Sequence, residues 1–253
     1  MTIERISAVL ICGNAEATLA TCLDSLAGFD DVVVYLNSST DGSRAICAGF
    51  ANVRVVDGEF IGFGPTKNAA VAEARNDWVL SIDTDEWLDD ELRRAVGSLA
   101  LNEPARAYSV LRKNRFLGRH VAHGGWGNDT LVRLFHRGHA RFNDKLVHEK
   151  LVTDSAAAPI RLPGTLWHDA VVEIDQFLRK ISAYSTLAAK SHDGRRAGHP
   201  AVALVRSAFA FVRSYVLQLG FVAGWRGVVI AYSRAVGTFY KYVKRYTKAR
   251  GLE

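Results

Sequence analysis

The chain has 253 residues, 49% of them hydrophobic and 23% charged. That length suits one α/β domain with extensions or two small domains, and the composition excludes disorder and collagen-like repeats. The net charge of +6 is uneven: residues 1–176 carry 18 Lys/Arg against 24 Asp/Glu, and residues 177–253 carry 14 against 2. An acidic body with a basic tail implies an anionic partner for the tail, either nucleic acid or an anionic membrane surface.

In chain order, residues 7–11 form a short apolar strand broken by Gly13-Asn14, and residues 17–26 have helical composition with Leu19, Leu23 and Leu26 on one face. Residues 31–36 are β-branched and continuous, as a buried parallel strand should be. The loop at 37–42 offers Thr40 or Asp41 as a cap for the next helix. Residues 53–56 are a third strand, 58–65 a glycine-punctuated loop, and 65–75 a helix with Pro65 at or near its first position. A fourth strand over 78–82 runs into Asp83-Thr84-Asp85-Glu86, and a helix over 89–101 is acid-rich at its start. This βαβαβαβ order predicts a parallel sheet covered on both faces, with ligands bound beyond the carboxyl ends of its strands. The loops carrying Asn14, residues 37–41 and residues 83–86 all follow strands and should gather at that edge.

Beyond residue 105 the segments 107–110, 131–135, 140–142 and 160–167 read as strands without long helices between them, a smaller mixed-sheet half. Helical composition returns at 171, with a linker over 195–200. The expected domains are 1–104, 105–170 and 171–253. Cys12, Cys22 and Cys47 share no metal-ligand spacing and read as reduced thiols of a cytoplasmic protein. The N-terminus lacks the pattern of a signal peptide, and no stretch reaches the ~18 uncharged apolar residues of a membrane span.

Asp83-x-Asp85 on a turn after an apolar strand can share a hard divalent cation, whose open positions take phosphate oxygens. The alternative is a solvated acidic turn before the helix started by Asp89 and Asp90. No P-loop is present, and Gly62-Phe63-Gly64 is a lone G-x-G, so a nicotinamide cofactor is poorly supported.

Six segments together resemble the inverting family 2 glycosyltransferases of GT-A fold. They are residues 6–14 (ISAVLICGN), 37–43 (NSSTDGS), 62–68 (GFGPTKN), 78–86 (WVLSIDTDE), 132–135 (VRLF) and 147–151 (VHEKL). The similarity is greatest to bacterial lipopolysaccharide or lipooligosaccharide core β-1,4-glucosyltransferases and covers residues 3–170 well. It implies an α/β GT-A fold with a mostly parallel sheet, a mixed-sheet acceptor half and a C-terminal helical extension. It also implies transfer of a hexose, glucose first, from a nucleotide-diphosphate sugar to a lipid-linked core oligosaccharide. Asn14, Asn37, Ser39, Thr40 and Asp41 would line the nucleotide site, Lys67 and Asn68 would contact the donor, and Asp83 would face its ribose or sugar. Asp85 would bind Mg²⁺ or Mn²⁺, and His168 would be an extra metal or diphosphate ligand or else an ordinary loop histidine. Many relatives carry Asp at the end of the second strand to bind uracil; Leu36-Asn37 stands there, although UDP-glucose remains the favoured donor. The general base would be Glu149, beside His148, or else Asp129. Trp126 and Trp167 are sugar-stacking candidates or core residues. Transfer to a polyprenyl phosphate, or a non-catalytic nucleotide-sugar or membrane-binding role, are the alternatives.

In the tail, Lys241, Lys244, Arg245 and Lys248 share one helical face beside Phe239, Tyr242 and Tyr246. This suits either an anionic membrane interface or a helix packed on the body with a solvated basic face. No nucleic-acid-binding pattern appears. The expected place is the cytoplasmic face of the bacterial inner membrane, as a peripheral protein.

Overall fold

The computed structural model describes residues 2–127, 129–145, 149–190 and 199–252. The chain forms two compact units, Met1–Lys113 with Asn128–Asp169, and Asn114–Gly127 with Ala170–Glu253.

The first unit opens with a 3₁₀ turn and then β1 (Ile6–Cys12), α1 (Leu19–Ser25), β2 (Asp31–Asn37), α2 (Ser43–Cys47), β3 (Val53–Gly58), α3 (Phe63–Ala72) and β4 (Trp78–Ser81). The four strands are parallel in the order β3-β2-β1-β4. β5 (Glu86–Leu88) and α4 (Asp90–Gly97) follow, and Asp89 caps α4 by accepting the Leu92 N–H at 2.8 Å. The remaining strands are β6 (Tyr108–Phe116), β7 (Arg119–His120), β8 (Asp129–His136), β9 (Ala140–Phe142), β10 (Leu151–Thr153) and β11 (Ile160–Val171). Beyond β4 the sheet runs β8-β6-β11-β5, with β4/β8, β8/β6 and β11/β5 antiparallel and β7 hydrogen-bonded to β6; β9 and β10 form a separate antiparallel pair. The parallel half followed by a mixed half is the GT-A architecture that the sequence predicts.

Both faces of the parallel half are covered, which is why β1, β2 and β4 are largely apolar, whereas the edge strand β3 is only partly buried and carries Arg54 and Asp57. Ala8, Leu10, Val32, Val34 and Leu80 pack with Leu19, Leu23, Leu92 and Val96 on one face. Val9, Val33 and Val79 pack with Ala70, Val71, Phe135 and Phe142 on the other. All three cysteines are buried and free. β5 is not evident in the sequence because three residues are too few for a period-2 signal. β6 runs six residues past the expected end because Arg112 and Asn114, polar residues inside a strand, hide its continuation.

The second unit holds the far ends of β6 and β11, β7, α5 (Ile174–Lys190), α6 (Pro200–Val212), a π turn (Arg213–Leu217), a 3₁₀ turn (Gly220–Ala223) and α7 (Trp225–Ala249). Its small core gathers Phe116, Val121, Val171 and Ile230, with Trp126 and Phe177 packed against them. Trp126 lies edge-on to Phe116 at 5.6 Å, so it is a core residue here. The expected linker lies outside the described residues up to 198; Pro200 is the first residue of α6, which His199 caps. The 18 residues Pro200–Leu217 are long and apolar enough to cross a membrane by length and composition, although Arg206 and Arg213 sit among them. The basic stripe of α7 is divided. Lys244 Nζ donates to Ser182 O, Ser185 Oγ and Thr186 Oγ1, and Arg245 donates to Ala188 O, so these two cations dock α7 on α5.

Candidate active site

Trp126 apart, the sequence-predicted site residues belong to the first unit. Most of the described ones fall into two bonded groups at or near the carboxyl ends of β1, β2 and β4, with Asp85 and His168 as a separate pair.

The first group knits the loop after β1 to the loop after β2. Asn14, held at φ +52°, accepts the Thr40 N–H at 2.8 Å and donates its own N–H to Ser39 Oγ at 2.8 Å. Asp41 accepts the N–H groups of Glu16 at 3.0 Å and Ser43 at 3.1 Å. Burial alone would raise the Asp41 carboxyl, but hydrogen bonds from Ser43 and Glu16 outweigh it and hold it below its ordinary value. Asn14, Ser39 and Asp41 therefore shape this edge through their own bonds. Asn37 stands at its floor. A Cβ on Gly13 would come within 2.8 Å of Asn37 Nδ2, so the glycine lets the amide pack close to the loop after β1. Asn37 Oδ1 is buried and has no hydrogen-bond partner among the described residues, an unsatisfied acceptor at the carboxyl end of β2.

The second group is a chain of alternating charges. Lys67, buried on α3, reaches Asp83 Oδ1 and Glu149 Oε1, each at 2.9 Å. Arg133, buried on β8, donates to Asp83 Oδ2 at 2.8 Å and to both oxygens of Glu86 at 2.6 and 2.7 Å. Glu86 is fully buried and also accepts from Arg112 at 3.0 Å, and Arg112 binds Asp129 at 2.9 Å. The order is thus Glu149–Lys67–Asp83–Arg133–Glu86–Arg112–Asp129. The two candidate bases are its two ends. Burial opposes the charge on Asp83, but Arg133 and Lys67 outweigh that and hold its carboxyl well below the usual carboxylate range. Burial likewise pulls the Lys67 ammonium down, and Asp83 and Glu149 lift it above its ordinary value. A buried pair stripped of one partner typically loses ~3–5 kcal/mol, because the remaining charge is uncompensated.

Local sequence explains the placement of Lys67. Gly64 lets the first turn of α3 meet the backbone at Asn143, where a Cβ would approach Asn143 O to 1.9 Å, and the Gly64 N–H donates to Lys145 O. Asn68 ties the same helix to the neighbouring residue, its amide donating to Phe142 O at 2.8 Å and accepting the Phe142 N–H at 2.9 Å. α3 therefore holds the backbone from Phe142 to Lys145. His148 lies outside the described residues.

Asp83 and Asp85 do not converge. Both oxygens of Asp83 are engaged by bases, whereas Asp85 Oδ2 lies 3.4 Å from His168 Nε2. Pairing of β5 with β11 puts His168 opposite Glu86, and the Asp169 N–H donates to Asp85 O at 2.8 Å, which fixes this approach. Among the described residues no three His, Cys, Asp or Glu side chains gather around a common point. One carboxylate and one imidazole fit a divalent cation whose other ligands are phosphate oxygens and water, and do not make a closed protein cage. Trp167 stacks on Trp87 beside this pair, with centroids 6.4 Å apart.

Sequence reasoning missed Arg133 and Arg112 and gave Glu86 no role. The available signal was a basic residue at an interior strand position, Arg133 between Val132 and Leu134, which can stay buried only if carboxylates meet it.

The model of the family described as Glycosyl transferase family 2 matches residues 7–152. The chain is 27% identical over 251 residues to the lipopolysaccharide core biosynthesis glycosyltransferase LpsC of Rhizobium meliloti (strain 1021), covering 96% of this chain and 92% of that protein. It is 26% identical over 254 residues to an uncharacterized glycosyltransferase of Rickettsia typhi, covering 95% and 86%. Among solved structures, S. aureus TarS 1-349 in complex with UDP is similar at 15% identity and a TM-score of 0.44, covering 98% of this chain and 92% of that one.

Proposed function

The chain belongs to glycosyl transferase family 2, and from that premise we propose that it transfers a hexose, glucose first, from a UDP-sugar to a lipid-linked lipopolysaccharide core oligosaccharide at the cytoplasmic face of the inner membrane. The observation that carries this reading is the Lys67 bridge, which joins the donor-side carboxylate Asp83 directly to Glu149. The acceptor class rests on the similarity to LpsC.

In this reading Asp85 and His168 hold Mg²⁺ or Mn²⁺, which supplies a Lewis acid for the leaving diphosphate. The protein's own residues do the rest. Asn37 Oδ1, once its amide turns out of its buried position, would accept a ring N–H of the base, which uracil and guanine possess and adenine and cytosine lack. Asp83, held ionised between Lys67 and Arg133, is a fixed acceptor for ribose or sugar hydroxyls. Glu149 takes the proton of the acceptor hydroxyl as its oxygen attacks the anomeric carbon from the side opposite the diphosphate. The bond to the diphosphate oxygen breaks in the same step, and the configuration inverts. Glu149 is preferred over Asp129 because one cation links it to Asp83. Asp129 is reached only through Arg112, Glu86 and Arg133, and its side chain is 46% exposed.

A thermal-shift panel with Mn²⁺ and UDP-glucose, UDP-galactose or GDP-mannose tests the donor. UDP-glucose should stabilise the protein most. Stabilisation by GDP-mannose alone would transfer the Asn37 contact to guanine and remove UDP, and no response to any of the three would remove the proposal.

A further inference from the structure

In a helical pair that is stable in water, large apolar side chains face inward. α6 reverses this. It turns a small residue inward, Ala203 being buried and Ser207 Oγ donating to Ala235 O of α7, and Ser214 in the π turn that follows is buried as well. α7 meets it with buried Gly227, Ala231, Ser233 and Ala235, beside the single large buried side chain Ile230. Small residues at a close helix contact are the packing used where the surroundings are lipid. The large residues of α6 point out: Val202, Val205, Phe209 and Val212 recur at three- and four-residue spacing, Val216 continues the row in the π turn, and Leu204 flanks them, all exposed, Val205 at 71%. The turn that follows continues the surface with Leu217, Leu219, Phe221, Val222 and Trp225.

That turn is fixed. Leu219 has φ +56°, unusual for a bulky residue. The preceding residues are tied down by Ser214 Oγ to Gly124 O at 2.7 Å and by the Gly124 N–H to Gln218 O at 2.8 Å. Arg234 donates to Gly124 O at 2.8 Å from α7. A built-in apolar prominence of this size on a soluble protein marks an interaction surface.

Charge selects its occupant. Residues 199–252 contain nine Lys/Arg and no Asp or Glu. Arg206 and Arg213 are exposed on the apolar run itself, and the Arg226 guanidinium lies 4.5 Å above the Trp225 ring. Two copies of this surface would oppose like charges, whereas an anionic bilayer presents apolar chains beneath phosphate headgroups. The arginines also disfavour a span, since both would lie in its interior, but at the headgroup level they snorkel to phosphate. We propose that α6 and the 217–225 turn lie in an anionic lipid surface as a monotopic anchor, with apolar side chains below the headgroups and arginines among them. Membrane contact thus rests on α6 and not on the α7 stripe, half of which is bonded to α5. The proposal is independent of the transfer reaction.

The test is flotation of the full chain with vesicles of phosphatidylcholine and phosphatidylglycerol, against pure phosphatidylcholine. The protein should float with the anionic vesicles and stay bound at about 0.5 M salt, where surface charge is screened within a few Å. The Val205→Glu/Phe209→Glu variant should bind at least about tenfold less, as two lost apolar contacts imply. Its melting temperature should stay within about 3 °C, since both sites are exposed. Lys241→Ala/Lys248→Ala should bind nearly as wild type. Failure to float, full release by salt, or equal flotation of the Val205/Phe209 variant would each overturn the proposal. So would a dimer in light scattering that this variant dissociates.

Discussion

In the first unit large apolar side chains fill both faces of a sheet, and seven charged side chains form one alternating chain whose members Lys67, Arg133 and Glu86 are buried. In the second, beside a small core that includes Ile230, α6 turns valine, leucine and phenylalanine outward and meets α7 mainly through glycine, alanine and serine. The two parts therefore depart from ordinary burial in opposite ways. The charges of the first unit are tolerated because each has a partner within about 3 Å. The exposed apolar residues of the second fit the lipid surface proposed above. A buried charge and an exposed hydrophobe are the two informative departures from ordinary packing.

The contrast can be broken at four places, taken from the largest effect to the smallest. Glu149→Gln should lower turnover by ~10²–10⁴-fold, the range of general acid–base catalysis, while Asp129→Asn stays within about tenfold of wild type. Steady-state rates on both variants decide which end of the charge chain takes the proton, and retained activity in Glu149→Gln would favour an acceptor that is already ionised, such as a polyprenyl phosphate. Arg133→Ala leaves Asp83 and fully buried Glu86 without their shared base, and should cost ~3–5 kcal/mol in urea unfolding. A loss below about 1 kcal/mol would mean that water reaches this pair. In the second unit Ala203→Leu should destabilise by ~1–3 kcal/mol, because the inward face of α6 has no room for it. Leu204→Ser, one residue on but outward, should change stability by no more than ~0.5 kcal/mol in detergent-free buffer. If the order of those two were reversed on thermal melting, the inside-out reading of α6 would be wrong.

Much of the first unit is legible in the sequence because parallel strands covered on both faces leave continuous apolar runs, and the runs at 31–36 and 78–82 match β2 and β4 to within a residue or two. The turns after them carry the motif residues, so Asn14, Asn37, Lys67, Asp83 and Asp85 can be named without a structure. Their partners cannot. Arg133 and Arg112 are brought to Glu86 by antiparallel strand pairing across dozens of residues, which no local pattern encodes. The role of Asn68 is hidden for the same reason, since its amide is matched to the backbone of Phe142, 74 positions away. The α7 stripe shows the opposite limit. Spacing places Lys244 and Arg245 on one face but does not say that α5 occupies that face.

The central claim is that a nucleotide diphosphate sits at the edge where Asp85 and His168 meet, with a divalent cation between them. Calorimetric titration of UDP in the presence and absence of Mn²⁺, on wild type and Asp85→Asn, measures this directly. The account predicts that Mn²⁺ strengthens UDP binding at least about tenfold in wild type, equivalent to ~1.4 kcal/mol, and that Asp85→Asn abolishes the gain while the protein stays folded. Equal UDP affinity with and without Mn²⁺ in wild type, or an undiminished Mn²⁺ effect in Asp85→Asn, would contradict it.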